Sequence, residues 1–133
     1  MIHLKENLPI KNERALQVLS ELELGLVKLL GDNLVKIILY GSYVREQQDS
    51  ESDLDIMILV RTESEITKAC SEEINETVFQ LSLKYDLILS TMVKEEQKFS
   101  EYSIYVPFYT NISREGVAIF PDLHHFLTIR SET

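Results

Sequence analysis

Tryptophan is missing from this chain, cysteine occurs once, and 133 residues carry only three prolines and four glycines. With Cys70 as the sole cysteine, no internal disulfide can form and no thiolate cluster can hold a metal, so a packed core has to supply the stability. No apolar run approaches the roughly 20 residues that span a bilayer, and no charged-then-apolar leader opens the chain. The expectation is a soluble, cytoplasmic protein without membrane contact. Basic residues are scarce, 13 Lys and Arg against 22 Asp and Glu, for a formal net charge of −9. A direct nucleic-acid grip needs clustered Lys and Arg to displace counterions, and no such stripe is present. The acidic surface suits a basic protein partner or simply keeps the chain solvated. Internal repeats, low-complexity tracts and Gly/Ser linkers are also absent. The length allows one domain with a real core, spanning 1–133 with an extended arm at 1–11 and a tail at 121–133.

What is present concentrates between Leu39 and Val60, in LYGSYVREQQDSESDLDIMILV. The run Val35 to Tyr40 is short and β-branched, and it is closed by Gly41, the pattern of a buried strand that breaks at a glycine. Ser42 to Glu46 reads as the start of a short helix, whose free N–H groups and positive dipole end favour a phosphate. Beyond a polar link from Glu46 to Ser52, a second strand alternates. Asp53, Asp55, Met57 and Leu59 fall on one face, and Leu54, Ile56, Ile58 and Val60 on the other. Two carboxylates side by side on one pleat repel unless a cation neutralises them, and magnesium with phosphate and water ligands is the natural choice. Taken alone, Asp-x-Asp is more often a solvated edge, and Gly-Ser an ordinary turn.

Elsewhere the patterns are mostly structural. Ala15, Leu19, Leu22, Leu26 and Leu30 mark a packing helix that Asn12 can cap and Gly31 ends. Thr62 and Glu65 match a capping box for a second long helix, with Ile66, Cys70, Ile74, Val78 and Leu81 as its apolar stripe to about Lys84. Tyr85 to Ser90 reads as a third strand, with Asp86, Ile88 and Ser90 on one face; an aspartate opening such a run is usually a turn residue. Lys94 to Ser100 is polar and helical in pattern. Pro107 opens a last helix through Arg114, ended by Gly116, and Val117 to Phe120 makes an edge strand stopped by Pro121. Tyr102, Tyr105, Phe108 and Tyr109 suit stacking on a base or, more commonly, core packing. Asp122, His124 and His125 offer metal donors, but a site needs three or four fixed ligands, which favours a plain tail.

Gly41-Ser42, ten intervening residues and Asp53-Leu54-Asp55, flanked by strand-like runs, resemble the signature of the DNA polymerase beta-like nucleotidyltransferase superfamily. Within it the chain is most similar to the minimal nucleotidyltransferases, which pair with HEPN-domain partners. One departure is Arg45-Glu46, where the family commonly has Arg-Gly. The resemblance implies an α/β fold: a single nucleotidyltransferase domain with a small mixed β-sheet and helices packed mainly on one face. It also implies Mg2+ and ATP, with Asp53, Asp55 and Asp86 as catalytic metal ligands, Asp86 serving the acceptor side from a neighbouring strand. Gly41 and Ser42 would hold the β and γ phosphates, and Arg45 would assist with charge. Larger relatives carry an added acceptor-binding domain for which this chain has no residues to spare, so the acceptor is expected on another protein. The implied function is an antitoxin that adenylylates a HEPN ribonuclease toxin, on a tyrosine. The alternatives are an aminoglycoside-like small-molecule nucleotidyltransferase acting across a homo-oligomer, and a non-catalytic antitoxin that neutralises by binding.

Overall fold

A computed structural model describes residues 13–45 and 53–121. The expected arm, the Asn12 cap, the polar link and the histidine-bearing tail lie outside them. The described elements run α1 (Glu13–Leu30), β1 (Leu34–Tyr40), β2 (Leu54–Val60), α2 (Lys68–Tyr85), β3 (Leu89–Glu95), α3 (Glu96–Tyr102), α4 (Pro107–Glu115) and β4 (Val117–Phe120). The strands form one mixed sheet in the order β3-β2-β1-β4. β1 pairs antiparallel with β2 and β4, whereas β2 and β3 run parallel through the α2 crossover. This is the expected α/β arrangement.

Alternation along β2 sorts the two sides of the sheet. Leu54, Ile56, Ile58 and Val60 join Ile37 and Leu39 of β1 in a core covered by α1 and α2. The α1 stripe expected from its spacing, Ala15, Leu19, Leu22, Leu26 and Leu30, is buried there throughout. Ile74 and Leu81 of α2 are buried against the same core, with Ile66, Cys70 and Val78 packed at its edge. A smaller cluster on the opposite face unites Ile38, Met57 and Leu59 with Phe99 of α3 and Ile112 of α4. The two 18-residue helices therefore share one face, and the two short helices cover part of the other. Among the described residues no helix is long and apolar enough to cross a membrane.

Three local expectations shift. Thr62 does not cap the long helix: its hydroxyl accepts from the Ser64 N–H at 3.3 Å and opens only a 3-10 turn at Glu63–Glu65. The true cap of α2 is Thr67, whose side chain accepts from the Cys70 N–H at 3.0 Å. At the other end α2 continues through Tyr85, so the third strand begins at Leu89, not Tyr85. Asp86 ends the helix in the left-handed conformation (φ 52°, ψ 47°), its N–H donating to the Ser82 carbonyl. A left-handed residue satisfies the helix's last carbonyls, and Asp is among the few non-glycine types that adopt it readily. Finally, Lys94 and Glu95 close β3, so the helix expected from Lys94 starts at Glu96.

Candidate active site

The end of β1 delivers the chain to Gly41 beside the start of β2, where Tyr40 pairs with Asp55. Gly41 adopts φ +84°, a conformation open chiefly to glycine. A Cβ on Gly41 would also land on the Asp55 carboxylate, with Asp55 Oδ2 in its place and Cγ only 3.1 Å away. The carboxylate therefore lies directly against the bare Cα of the turn. Downstream, the Val44 and Arg45 N–H groups donate to the Gly41 carbonyl at 3.1 and 3.2 Å. Ser42 and Tyr43 precede those bonds, so their N–H groups stand where a helical turn has no partner of its own for them. Tyr43, 3% exposed, anchors the turn in the larger core. The expected short helix is seen only as turn through Arg45, because its continuation lies outside the described residues.

Asp53 immediately precedes β2, and both it and Asp55 are half-buried. Burial pushes the Asp55 carboxyl above the usual carboxylate range, the charge of Asp53 adds to the rise, and Arg45 partly opposes it. A divalent cation would relieve that repulsion, and two carboxylates beside an anion-accepting turn fit magnesium completed by phosphate and water. Tyr40, on the same face, has its hydroxyl pushed up by burial, by Asp55 and by Tyr109, so it stays un-ionised.

Asp86 does not join this pair on the sheet. The parallel register sets Leu89 opposite Leu54 and Ser90 opposite Asp55, leaving Asp86 three residues before the first paired position, exposed at the C-terminus of α2. The expected strand position of a third carboxylate is thus taken by Ser90. Among the described residues no three His, Cys, Asp or Glu side chains converge to hold a metal ion. Asp86 was expected to open the third strand; it closes α2 instead, and its turn chemistry decides that place.

Over the Gly41 turn stands α4. A cleft of about 330 Å3 opens between them, with Tyr40, Gly41, Arg45 and Asp55 on the sheet side. Phe108, Asn111, Ile112 and Glu115 line the helix side at i, i+3, i+4 and i+7, one face of α4. Arg45 Nη1 meets Glu115 Oε2 at 3.3 Å across the cleft. Ile112 is buried, whereas Phe108 is 44% exposed and packs edge-on with Tyr40 at 6.0 Å between centroids.

The family model of the nucleotidyltransferase domain matches residues 19–115, from within α1 to the end of α4. The chain belongs to that family. Two relatives of this nucleotidyltransferase are proteins of Methanocaldococcus jannaschii named "putative protein adenylyltransferase". One is 32% identical over 78 residues, covering 59% of this chain and 77% of the relative. The other is 31% identical over 86 residues, covering 64% and 77%. Among solved structures, a chain from a crystal structure of a toxin-antitoxin with AMP-PNP aligns with 83% of this chain and 90% of its own length, at 18% identity and a TM-score of 0.44.

Sequence reasoning about this nucleotidyltransferase missed Asn111, Ile112 and Glu115. Their spacing from Phe108 on a helix opened by Pro107 was a visible signal for a shared face, but nothing local says that this face meets the Gly41 turn. The aromatics are neither plain core nor free platform. Tyr109 packs on the smaller cluster, Tyr105 is 68% exposed, and Lys94 Nζ lies 5.8 Å from the ring centroids of both Tyr102 and Tyr109.

Proposed function

We propose that this nucleotidyltransferase moves AMP from ATP to a hydroxyl of a partner protein, a HEPN-type ribonuclease toxin modified on a tyrosine, and so acts as its antitoxin. The observation that carries the reading is the seating of the Asp55 carboxylate on the bare Cα of Gly41. It makes the phosphate-accepting turn and the carboxylate pair one continuous surface. The names of the two relatives support a protein as the acceptor.

In this reading the N–H groups of Ser42 and Tyr43 take the outer phosphates, and the Arg45 guanidinium adds charge. Its pair with Glu115 is about half exposed on both sides, and such surface pairs are weak. Asp53 and Asp55 hold magnesium, which when bound neutralises charge on the phosphate oxygens. The acceptor hydroxyl oxygen bonds to the α-phosphorus as the bond to pyrophosphate breaks. β3 presents Ser90 beside Asp55 and Met92 beside Met57, uncharged side chains next to the carboxylate on the neighbouring strand. The transferred AMP adds negative charge where a ribonuclease must receive polyanionic RNA, so modification alone weakens RNA binding.

Intact-mass spectrometry of the partner, after incubation with this protein, ATP and magnesium, tests the reading. An increase of one or more AMP units, lost when Asp53 and Asp55 are both changed to Asn, supports it. Neutralisation of the toxin without a mass change, equally good in the double variant, overturns it in favour of a binding antitoxin.

A further inference from the structure

Among the described residues β3 is an edge strand, paired with β2 on one side and with nothing on the other. An open edge is a template for a further strand, and proteins usually blunt it with lysine, proline or a bulge. Most of β3 is left unblunted. From Leu87 to Val93 there is no charged residue and no proline, in a chain of which 26% of residues are charged, and the register with β2 is unbroken. Lys94 and Glu95 come only at the end of the strand. The Leu54 N–H donates to the Ile88 carbonyl at 2.9 Å. Successive residues of a strand turn their backbone groups to opposite sides, so Ile88, Ser90 and Met92 serve β2, while Leu89, Thr91 and Val93 present N–H and C=O outward.

The side chains add a second feature. Leu87 and Leu89 are buried in the larger core, which leaves Ile88, Ser90 and Met92 on the open face, with Ser90 beside Asp55. Ile88 is 62% and Met92 38% exposed, and the small Ser90 between them is exposed too. The result is a slot with two apolar walls and a low floor. From β1 the Tyr40 hydroxyl reaches over β2 and donates to Met92 Sδ at 4.0 Å, which steadies one wall. We infer that the outer edge of β3 receives an extended segment of the acceptor protein as an added strand, with the acceptor tyrosine laid over Ser90 between Ile88 and Met92. The inference rests on the protein-acceptor reading above and adds to it the surface that recognises the acceptor. An added strand lies two spacings, about 10 Å, from β2, and its residue opposite Ser90 faces the same side as Asp55. A serine hydroxyl at that position ends over β3. A tyrosine hydroxyl, at the far end of its ring, crosses Ser90 toward the carboxylate. Main-chain hydrogen bonds supply affinity in this mode of recognition, and the side-chain slot supplies selectivity.

The test uses the full chain with magnesium, a non-hydrolysable ATP analogue and a synthetic peptide, acetyl-Thr-Val-Tyr-Val-Thr-amide, beside the same peptide with serine in place of tyrosine. Nuclear magnetic resonance follows the methyl groups of Ile88 and Met92 and the exchange of backbone amides. The tyrosine peptide should shift both methyls through its ring and slow exchange at Leu89, Thr91 and Val93; the serine peptide should slow the amides and leave the methyls in place. Thr91→Pro removes one outward donor at a position where an edge strand tolerates proline, and should weaken both peptides by roughly three- to tenfold. Ser90→Leu fills the slot and should abolish the methyl shifts produced by the tyrosine peptide. Melting curves and binding of the ATP analogue, unchanged in both variants, report that they fold. Peptide shifts confined to α4 or α2, no shifts at all, or undiminished binding of the tyrosine peptide by both variants overturns the inference. AMP still appearing on the partner in those cases leaves the transfer reading standing. Peptide docked on β3 with no AMP on any acceptor overturns the transfer reading instead, because docking needs no chemistry.

Discussion

The two faces of β2 differ at one end of the strand, where Asp55 alone escapes full burial. Leu54, Ile56, Ile58 and Val60 are wholly buried under α1 and α2. On the other face Met57 and Leu59 are buried too, under Phe99 and Ile112, but Asp55 lies beyond the edge of that second cover. The site therefore occupies the place where one of two layers stops. Asp55 is open to solvent on one side, while the closed side behind it supplies a low-dielectric backing that lifts its carboxyl above the ordinary value.

Substitutions at four positions break or sharpen that contrast. The largest expected effect is on the closed face. Ile56→Ala removes a fully buried side chain and should cost about 2–5 kcal/mol in denaturant unfolding, with no counterpart gain in any ligand-bound state. Gly41→Ala comes next, at roughly 1–3 kcal/mol, because the new methyl meets both a left-handed backbone and the Asp55 carboxylate. Adding Asp55→Ala to it should recover part of that loss, a non-additivity that a double-mutant cycle reads directly; strict additivity would mean the carboxylate does not lie on the glycine.

One residue along from Ile56, Asp55→Asn should do the reverse of the Ile56 change. A carboxyl whose folded pKa is raised contributes stability that is full below its unfolded value and lost as pH rises through the folded value. At neutral pH the ionised Asp55 therefore burdens the fold. The Asn variant should melt higher than wild type at pH 7 without magnesium, the gap closing as pH falls toward the ordinary carboxylate range, while nucleotidyl transfer is lost. A lower melting temperature at pH 7 would contradict the assignment. The smallest effect is at Asp86. Because it serves as an exposed left-handed cap, Asp86→Gly should change stability by no more than about 0.5 kcal/mol and leave turnover unchanged. A catalytic carboxylate at that position would instead lose most of its turnover.

Much of this molecule is a local property of its sequence. The α1 stripe, the alternation of β2 that sets Asp55, Met57 and Leu59 against Leu54, Ile56, Ile58 and Val60, the glycine that ends β1 and the Pro107-to-Gly116 frame of α4 each depend on near neighbours, so periodicity and turn chemistry were enough to read them. Gly41 was legible as a turn, but its second reason, the Asp55 carboxylate against its Cα, belongs to strand pairing. The third strand was read four residues early because nothing local distinguishes Asp86 opening a strand from Asp86 closing a helix. That choice is made by Leu81, Leu87 and Leu89 packing into one core, which carries α2 through Tyr85 and sets Ser90 opposite Asp55. The cleft under α4 arises the same way. The sequence by itself determined which residues share a face; which faces meet was left to the tertiary structure, because register and helix docking depend on contacts among residues far apart in the chain.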